Sequence, residues 1–334
     1  MKIYLQKEAK KYDLTQEILN KLSSFEVIEY DKYSDIKKDI FLNIWDNFNI
    51  IFDNYKTNLE KRKDYIFLKS WKDLISRDDK WFTSFEIYRK LWYTIYNLKI
   101  WQNCLLWCDY CYLLSTNKFN PEITIYSNIK EEVNKFIKQN PWKKILFNIW
   151  EYTDSFLLDK ITNLTQFFYE ICSKNPNIIV ESRTKLMNLD IKFPPIKNFI
   201  LWFSISINNM DRFWKKEDIF KKLEYIKELT HKWYIVSLKF DPIITLNWYD
   251  NDFFDVINNM KKDNIHHFSL WTLRFTRNLW KIIWNCTDSK KVNGDFILEN
   301  GKYVNKYREA IYNFFIQKMW DIWVNDYYLS MDPK

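Results

Sequence analysis

Three cysteines, Cys104, Cys108 and Cys111, stand in the short run C-L-L-W-C-D-Y-C-Y. Thiolates spaced C-x3-C-x2-C on one loop can bind three irons of a 4Fe–4S cube and leave the fourth iron open to a ligand. The competing chemistry is a structural zinc site, which needs a fourth ligand. His231, His266 and His267 lie far away in sequence, and Cys172 and Cys286 have no paired spacing. The open-iron cluster is therefore the better reading. Trp107 sits inside the loop, where a tight metal-binding turn favours glycine.

A loop of this kind must be held by a scaffold. From about residue 97 strand-like apolar runs at 97–100, 145–149, 178–180, 199–207, 234–240 and 268–270 alternate with helix-like segments at 128–139, 158–174, 217–230, 251–262 and 304–319. That alternation predicts a parallel α/β fold, open sheet or barrel. A last short strand at 327–330 closes one edge, and strands at 3–5 and 27–30 flank a helix at 14–22. The expected organisation is a smaller N-terminal α/β region over 1–95 and the main α/β unit over 96–334.

Ligands of parallel α/β folds bind at the carboxyl ends of the strands. The cysteine loop follows the first core strand. Glu151, Thr153, Asp154 and Ser155 follow the second, Ser182 to Lys185 the third, and Ser204 and Ser206 end the fourth. Asp241 ends the fifth, and Thr272 and Arg274 the sixth. His266 and His267 are expected as strand-end polar residues.

The 334 residues, 47% hydrophobic, suffice for a sizeable core. Glycine occurs only twice, against 17 tryptophans, where glycine ordinarily makes up about 7% of a chain. Trp248 in L-N-W-Y-D and Trp142 in N-P-W-K-K stand where turns want glycine, and Trp233 stands at a predicted helix C′ position. The expectation is that most of these tryptophans are UGA codons that the source reads as glycine. The alternative is a truly tryptophan-rich, carbohydrate-binding protein, which would not require so little glycine.

A net charge of +8 and a pI of about 8.9 suit a polyanionic partner such as nucleic acid. Scattered lysines from AT-rich coding account for the charge nearly as well. Five cysteines, three of them clustered, argue for a reducing cytoplasm over a disulfide framework. No apolar run approaches membrane-spanning length, so a cytoplasmic protein is expected, with no membrane partner.

The cysteine spacing, at the first strand end of a six-fold β/α pattern, resembles the radical S-adenosylmethionine enzymes. That resemblance implies a partial (β/α)6 barrel, a 4Fe–4S cluster and S-adenosylmethionine. The open iron chelates the methionine moiety, and one electron releases a 5′-deoxyadenosyl radical. I-Y-L-Q-K-E, C-D-Y-C-Y-L, W-E-Y-T-D-S-F-L-L-D, F-D-P-I-I and S-L-W-T-L-R-F resemble, more narrowly, the spore photoproduct lyase family, over nearly the whole chain. Members of that family reverse a methylene-bridged thymine dimer in DNA.

The resemblance assigns Cys104, Cys108 and Cys111 to the cluster and Thr153, Asp154, Lys185 and Ser204 to S-adenosylmethionine. Tyr110 and Tyr112 match the tyrosines flanking the last cluster cysteine, and Tyr112 matches one in the radical relay. It implies DNA and an electron donor such as flavodoxin or ferredoxin as partners. One position departs from the family: Glu151 stands where the lyase carries the cysteine that returns a hydrogen atom to the thymine radical. A carboxylic O–H bond is too strong for that task. Trp150-Glu151 instead resembles the Gly-Gly-Glu element that holds the methionine amino group in other radical enzymes. The alternatives are a radical enzyme acting on a non-DNA substrate, and a non-enzymatic iron–sulfur or nucleic-acid-binding protein.

Overall fold

The computed structural model describes residues 2–36, 65–78, 86–104, 106, 113, 123–207, 218–243, 251–272, 298–299, 302–303, 305–323 and 327–329. The first elements are β1 (Lys2–Gln6), α1 (Asp13–Lys21), β2 (Glu26–Tyr30), α2 (Tyr33–Ile36), β3 (Tyr65–Lys69), β4 (Ile75–Arg77), α3 (Glu86–Lys90), β5 (Thr94–Leu98), β6 (Trp101–Gln102) and β7 (Thr124–Tyr126). Then come α4 (Ile129–Gln139), β8 (Ile145–Asn148), α5 (Asp159–Thr162), α6 (Leu164–Lys174), β9 (Ile178–Thr184), β10 (Phe199–Ile207), α7 (Ile219–His231), β11 (Ile235–Ile243), α8 (Asn251–Asn258) and β12 (Ile265–Thr272). The hairpin of β13 (Leu298–Glu299) and β14 (Lys302–Tyr303), α9 (Asn305–Asp321) and β15 (Tyr327–Leu329) complete the order.

The large sheet has the order β15-β12-β11-β10-β9-β8-β5-β4 and is parallel except for its β4 edge. Its central strands read as continuous apolar runs because helices cover one face and side chains fill the other. Every residue of β8 is buried. On the helix-covered face Phe147, Val180, Phe203, Leu238 and Phe268 join the main core with Val133, Phe168, Leu223 and Phe315. Alternation sends their neighbours to the opposite face. There Ile95, Leu146 and Ile200 surround Tyr88 of α3, and further along the same strands come Asn97, Asn148, Glu181, Arg183, Ser204 and Lys239.

The second sheet, β2-β1-β3-β7-β6, is parallel except for the β6–β7 pair. Sheet membership crosses residue 95: β6 and β7 join the N-terminal strands, whereas β4 belongs to the large sheet. The two sheets share one hydrophobic core, in which Ile3 and Leu5 accompany Ile145 and Leu201.

Several boundaries differ from expectation. β9 continues to Thr184 and β11 to Ile243, so Ser182, Arg183, Thr184 and Asp241 lie within strands rather than after them. Pairing with long β10 extends both strands beyond their apolar stretches. The helix expected at 158–174 is two, divided at Asn163, whose φ of 53° stops the first. The first core strand is Thr94–Leu98, ending before residue 100. His266 and His267 stand near the start of β12, not at its end. Strands β3, β4, β6 and β7 lie outside the strand-like runs expected from the sequence, and their pairing partners define them. Among the described residues no helix is long and apolar enough to cross a membrane.

Candidate functional site

The carboxyl ends of β5, β8, β9, β10 and β11 bring most of the expected residues together. At the first end, Asn97 accepts a 2.7 Å hydrogen bond from the Asn148 amide, which fixes β5 against β8. Asn103 then turns the chain with a φ of 72°. Its carbonyl accepts the Thr153 hydroxyl at 2.7 Å, so the turn after β8 grips the start of the cysteine loop. Cys104 is partly exposed, and the Leu106 N–H donates to its Sγ at 3.5 Å. An N–H aimed at sulfur favours thiolate character, which fits a cluster ligand. Cys108, Cys111, Tyr110, Tyr112 and Arg274 lie outside the described residues. Among the described residues no group of three or more His, Cys, Asp and Glu side chains is arranged for a metal.

Asp154 is buried, and its carboxylate is engaged by protein donors. It accepts the Lys185 N–H at 2.8 Å, the Thr184 hydroxyl at 3.0 and 3.1 Å, and the Phe156 N–H at 3.1 Å. Burial pushes its acidity toward the protonated form, while the Lys185, Phe156 and Thr184 hydrogen bonds and the nearby Lys222 charge oppose this. These contacts place Lys185, whose Nζ donates to Ser206 Oγ at 2.6 Å and reaches the Asp241 carbonyl at 3.4 Å. The hydroxyl beside the Lys185 ammonium thus belongs to Ser206. Ser204, on the same strand face two residues earlier, is buried.

Lys222, on α7, was not singled out from the sequence. It is 0% exposed, and its Nζ donates to the Lys185 carbonyl at 2.8 Å and the Ser204 carbonyl at 2.7 Å. A buried ammonium thereby ties the end of β9 to β10. Its sequence signal is nil: a lysine in I-F-K-K-L-E-Y reads as a solvated helix face. Glu151 is partly buried beside Tyr152, whose phenol is raised mainly by burial, with Glu151 and Asp78 adding to the rise.

Below the strand ends, the face opposite the helices carries buried charge. Glu181 accepts the Tyr88 hydroxyl, and burial pushes its carboxyl up to about 7 against the opposing effects of Tyr88 and Arg183. Lys239, 2% exposed, pairs with Asp241 at 2.9 Å. His266 stacks on Tyr88 and is lowered by burial to about 4. His267 is lowered by burial and by the nearby His266 and Arg183 charges. Cys172 does not face this site: it packs in the main core, donates to the Asn198 carbonyl at 3.3 Å, and burial pushes its thiol up. Cys286 lies outside the described residues.

No family model matches the chain, and no curated protein matches it either. Solved structures do. The fold is a mixed α/β one built on parallel sheets, with polar residues gathered at the strand ends. More narrowly, it is the fold of spore photoproduct lyase. A variant of that enzyme "with bound AdoMet and dinucleoside spore photoproduct" is similar with a TM-score of 0.71 at 15% identity, covering 98% of this chain and 97% of that one. A second variant gives 0.73 at 16% identity with the same coverage. The lyase "complexed with dinucleoside spore photoproduct" gives 0.68 at 15%.

Proposed function

We propose that this chain is a radical S-adenosylmethionine enzyme of the spore photoproduct lyase kind, acting on a lesion in DNA. The observation that carries the reading is the C-x3-C-x2-C run, placed just after the first core strand of a chain that follows the lyase fold over 98% of its length. Strands β5, β8, β9, β10, β11 and β12 would form the partial (β/α)6 barrel. The contact of Trp202 on β10 with His267 on β12 supports curvature there, since β11 lies between them.

Cys104, Cys108 and Cys111 would hold a 4Fe–4S cluster, which with S-adenosylmethionine supplies a 5′-deoxyadenosyl radical. Lys185 and Ser206 offer an ammonium and a hydroxyl at the strand ends for the polar groups of S-adenosylmethionine. Thr153 and Asp154 act through hydrogen bonds that set the cysteine loop and Lys185 in place. Ser204 lies beneath them, and Glu151 is the carboxylate for the methionine amino group. Tyr112, following Cys111, is assigned to the radical relay, and Tyr110 is the catalytic tyrosine on the other side of that cysteine. Reduction would come from a flavodoxin or ferredoxin in a reducing cytoplasm.

Glu151 favours a second reading within the same chemistry. The residue lies where the lyase has its hydrogen-donating thiol, and Cys172 is sealed in the core. A radical enzyme whose substrate is not a DNA lesion is therefore the alternative. Anaerobic reconstitution separates the readings. Formation of 5′-deoxyadenosine that rises with lesion-bearing DNA supports repair. Formation indifferent to DNA supports another substrate, and none at all removes the enzyme reading.

A further inference from the structure

Helices commonly end on a residue in the left-handed region, and glycine enters that region without a β-carbon clash. Among the described residues, six other than glycine have left-handed φ values: Trp92, Asn103, Asn163, Asn188, Trp233 and Trp323. Asparagine tolerates this region, whereas a bulky side chain there is an outlier. Tryptophan makes up 17 of the 334 residues yet takes three of these six places. That is far above its share.

The three sites repeat one motif. Trp233 follows α7 with a φ of 69°. Its N–H donates to the Thr230 carbonyl at 3.0 Å, and the Tyr234 N–H donates to the Leu229 carbonyl at 3.1 Å. Trp92 follows α3 with a φ of 67°, and Trp92 and Tyr93 donate to the Arg89 and Tyr88 carbonyls at 3.0 and 2.9 Å. Trp323 follows α9 with a φ of 79°, and its N–H donates to the Trp320 carbonyl at 3.1 Å. Paired bonds of this pattern mark the helix closure that glycine terminates. The apolar contact that accompanies the closure is present as well. Tyr93 meets Tyr88 with ring centres 6.4 Å apart, and Tyr234 packs on the core that holds Leu229.

The indoles gain little in return. Trp92 is 85% exposed and Trp233 60% exposed, and Trp142, after Pro141, is 94% exposed. Taken literally, these three stand ahead of β5, β11 and β8, at the amino end of the large sheet, like an aromatic docking platform. A platform requires no left-handed backbone, and two of its three members have one. Trp323 misfits differently. Its indole nitrogen is buried with no acceptor among the described residues, as are those of Trp101 and Trp202, although buried indole N–H groups ordinarily find one.

We propose that positions 92, 233 and 323 are glycine in the working protein, inserted at a codon that its source decodes as glycine. A codon is read one way throughout a chain, so the assignment extends to the other positions written with it. The exposed turn at 142 and the orphaned indoles at 101 and 202 are accounted for in the same way. Three helix-to-strand returns, α3 to β5, α7 to β11 and α9 to β15, then rest on unstrained backbone. The aromatic platform disappears with them.

Peptide mass spectrometry of the protein from its own source reads the residues directly. Glycine is expected at 92, 233 and 323, and tryptophan at any of them overturns the proposal. Denaturant unfolding gives a second test, in a recombinant chain carrying glycine at the remaining tryptophan positions. There Trp92→Gly, Trp233→Gly and Trp323→Gly should each raise the folded-to-unfolded ratio roughly two- to fivefold, because relief of the β-carbon clash exceeds the extra chain entropy of glycine. Trp→Ala at the same three sites keeps the β-carbon and should gain clearly less. Equal gains for glycine and alanine, or a chain of this kind that does not fold, overturn the proposal. Neither readout involves the cluster or deoxyadenosine, so this inference and the radical chemistry can fail independently.

Discussion

The Asp154 carboxylate accepts the main-chain N–H of Lys185 at 2.8 Å, across the gap between the turn after β8 and the end of β9. The Lys185 side chain then reaches Ser206 on β10 at 2.6 Å. Three successive strand ends are thus joined by one buried acid that serves as an anchor. For Asp154→Ala we expect a loss of about 3 kcal/mol, because the Lys185 and Phe156 N–H groups and the Thr184 hydroxyl lose their acceptor. Denaturant unfolding measures this, and a loss below 1 kcal/mol would contradict the anchor role.

Lys222→Met is predicted to be comparably severe. The substitution keeps much of the volume but leaves the Lys185 and Ser204 carbonyls without their buried donor, a cost of about 2–4 kcal/mol. Should the variant fold, the KM for S-adenosylmethionine should rise more than kcat falls, because Lys185 is displaced while the cysteine loop is not.

Thr153→Val removes the hydroxyl that holds the Asn103 carbonyl. The expected cost is about 1–3 kcal/mol, for an acceptor left unmatched inside the protein. Iron content after reconstitution should fall together with the melting temperature. Full iron loading at wild-type stability would show that the loop start needs no such grip.

Each of Cys104→Ala, Cys108→Ala and Cys111→Ala should abolish both the cluster's visible absorbance and deoxyadenosine formation. Cys172→Ala should leave both intact, since that thiol lies in the main core. Retention of activity in any one of the first three would exclude that cysteine as a ligand.

Glu181 gives a pH signature. Its carboxyl, ordinarily near 4.5, is pushed up to about 7 by burial. Between those values the folded protein holds a proton that the unfolded chain has released, so this group's contribution falls as pH rises and levels off above 7. His266, lowered to about 4, acts in the opposite sense: its contribution is lost as pH falls below the ordinary histidine value. Glu181→Gln should therefore gain on the wild type by up to about 3 kcal/mol as pH goes from 4 to 8. Parallel stability curves for the two proteins would refute the shift.

Much of the fold was legible because buried parallel strands write themselves as apolar runs. The strand expected at 199–207 is β10, and the helix expected at 128–139 begins one residue later. The third strand runs past the expected 178–180 to Thr184, because Glu181 and Arg183, facing the inner side, interrupt the apolar run without ending the pairing. The β3 and β7 strands escaped because each is short and takes its identity from partners distant in sequence.

The sequence by itself determined the chemistry on offer, since spacing along a loop decides which thiolates can share one cluster. It also raised the expectation that most tryptophans stand for glycine, a matter of counts and turn contexts. Tertiary structure alone decided which polar side chains meet. It chose Ser206 over Ser204 as the neighbour of the Lys185 ammonium, because both share a strand face and only depth along the strand separates them. It gave Asp154 the Lys185 and Phe156 N–H groups and the Thr184 hydroxyl as partners, and it recruited Lys222 from a helix that reads as solvated. Such roles depend on what lies within about 3 Å across strand ends, and a linear pattern carries no record of that distance.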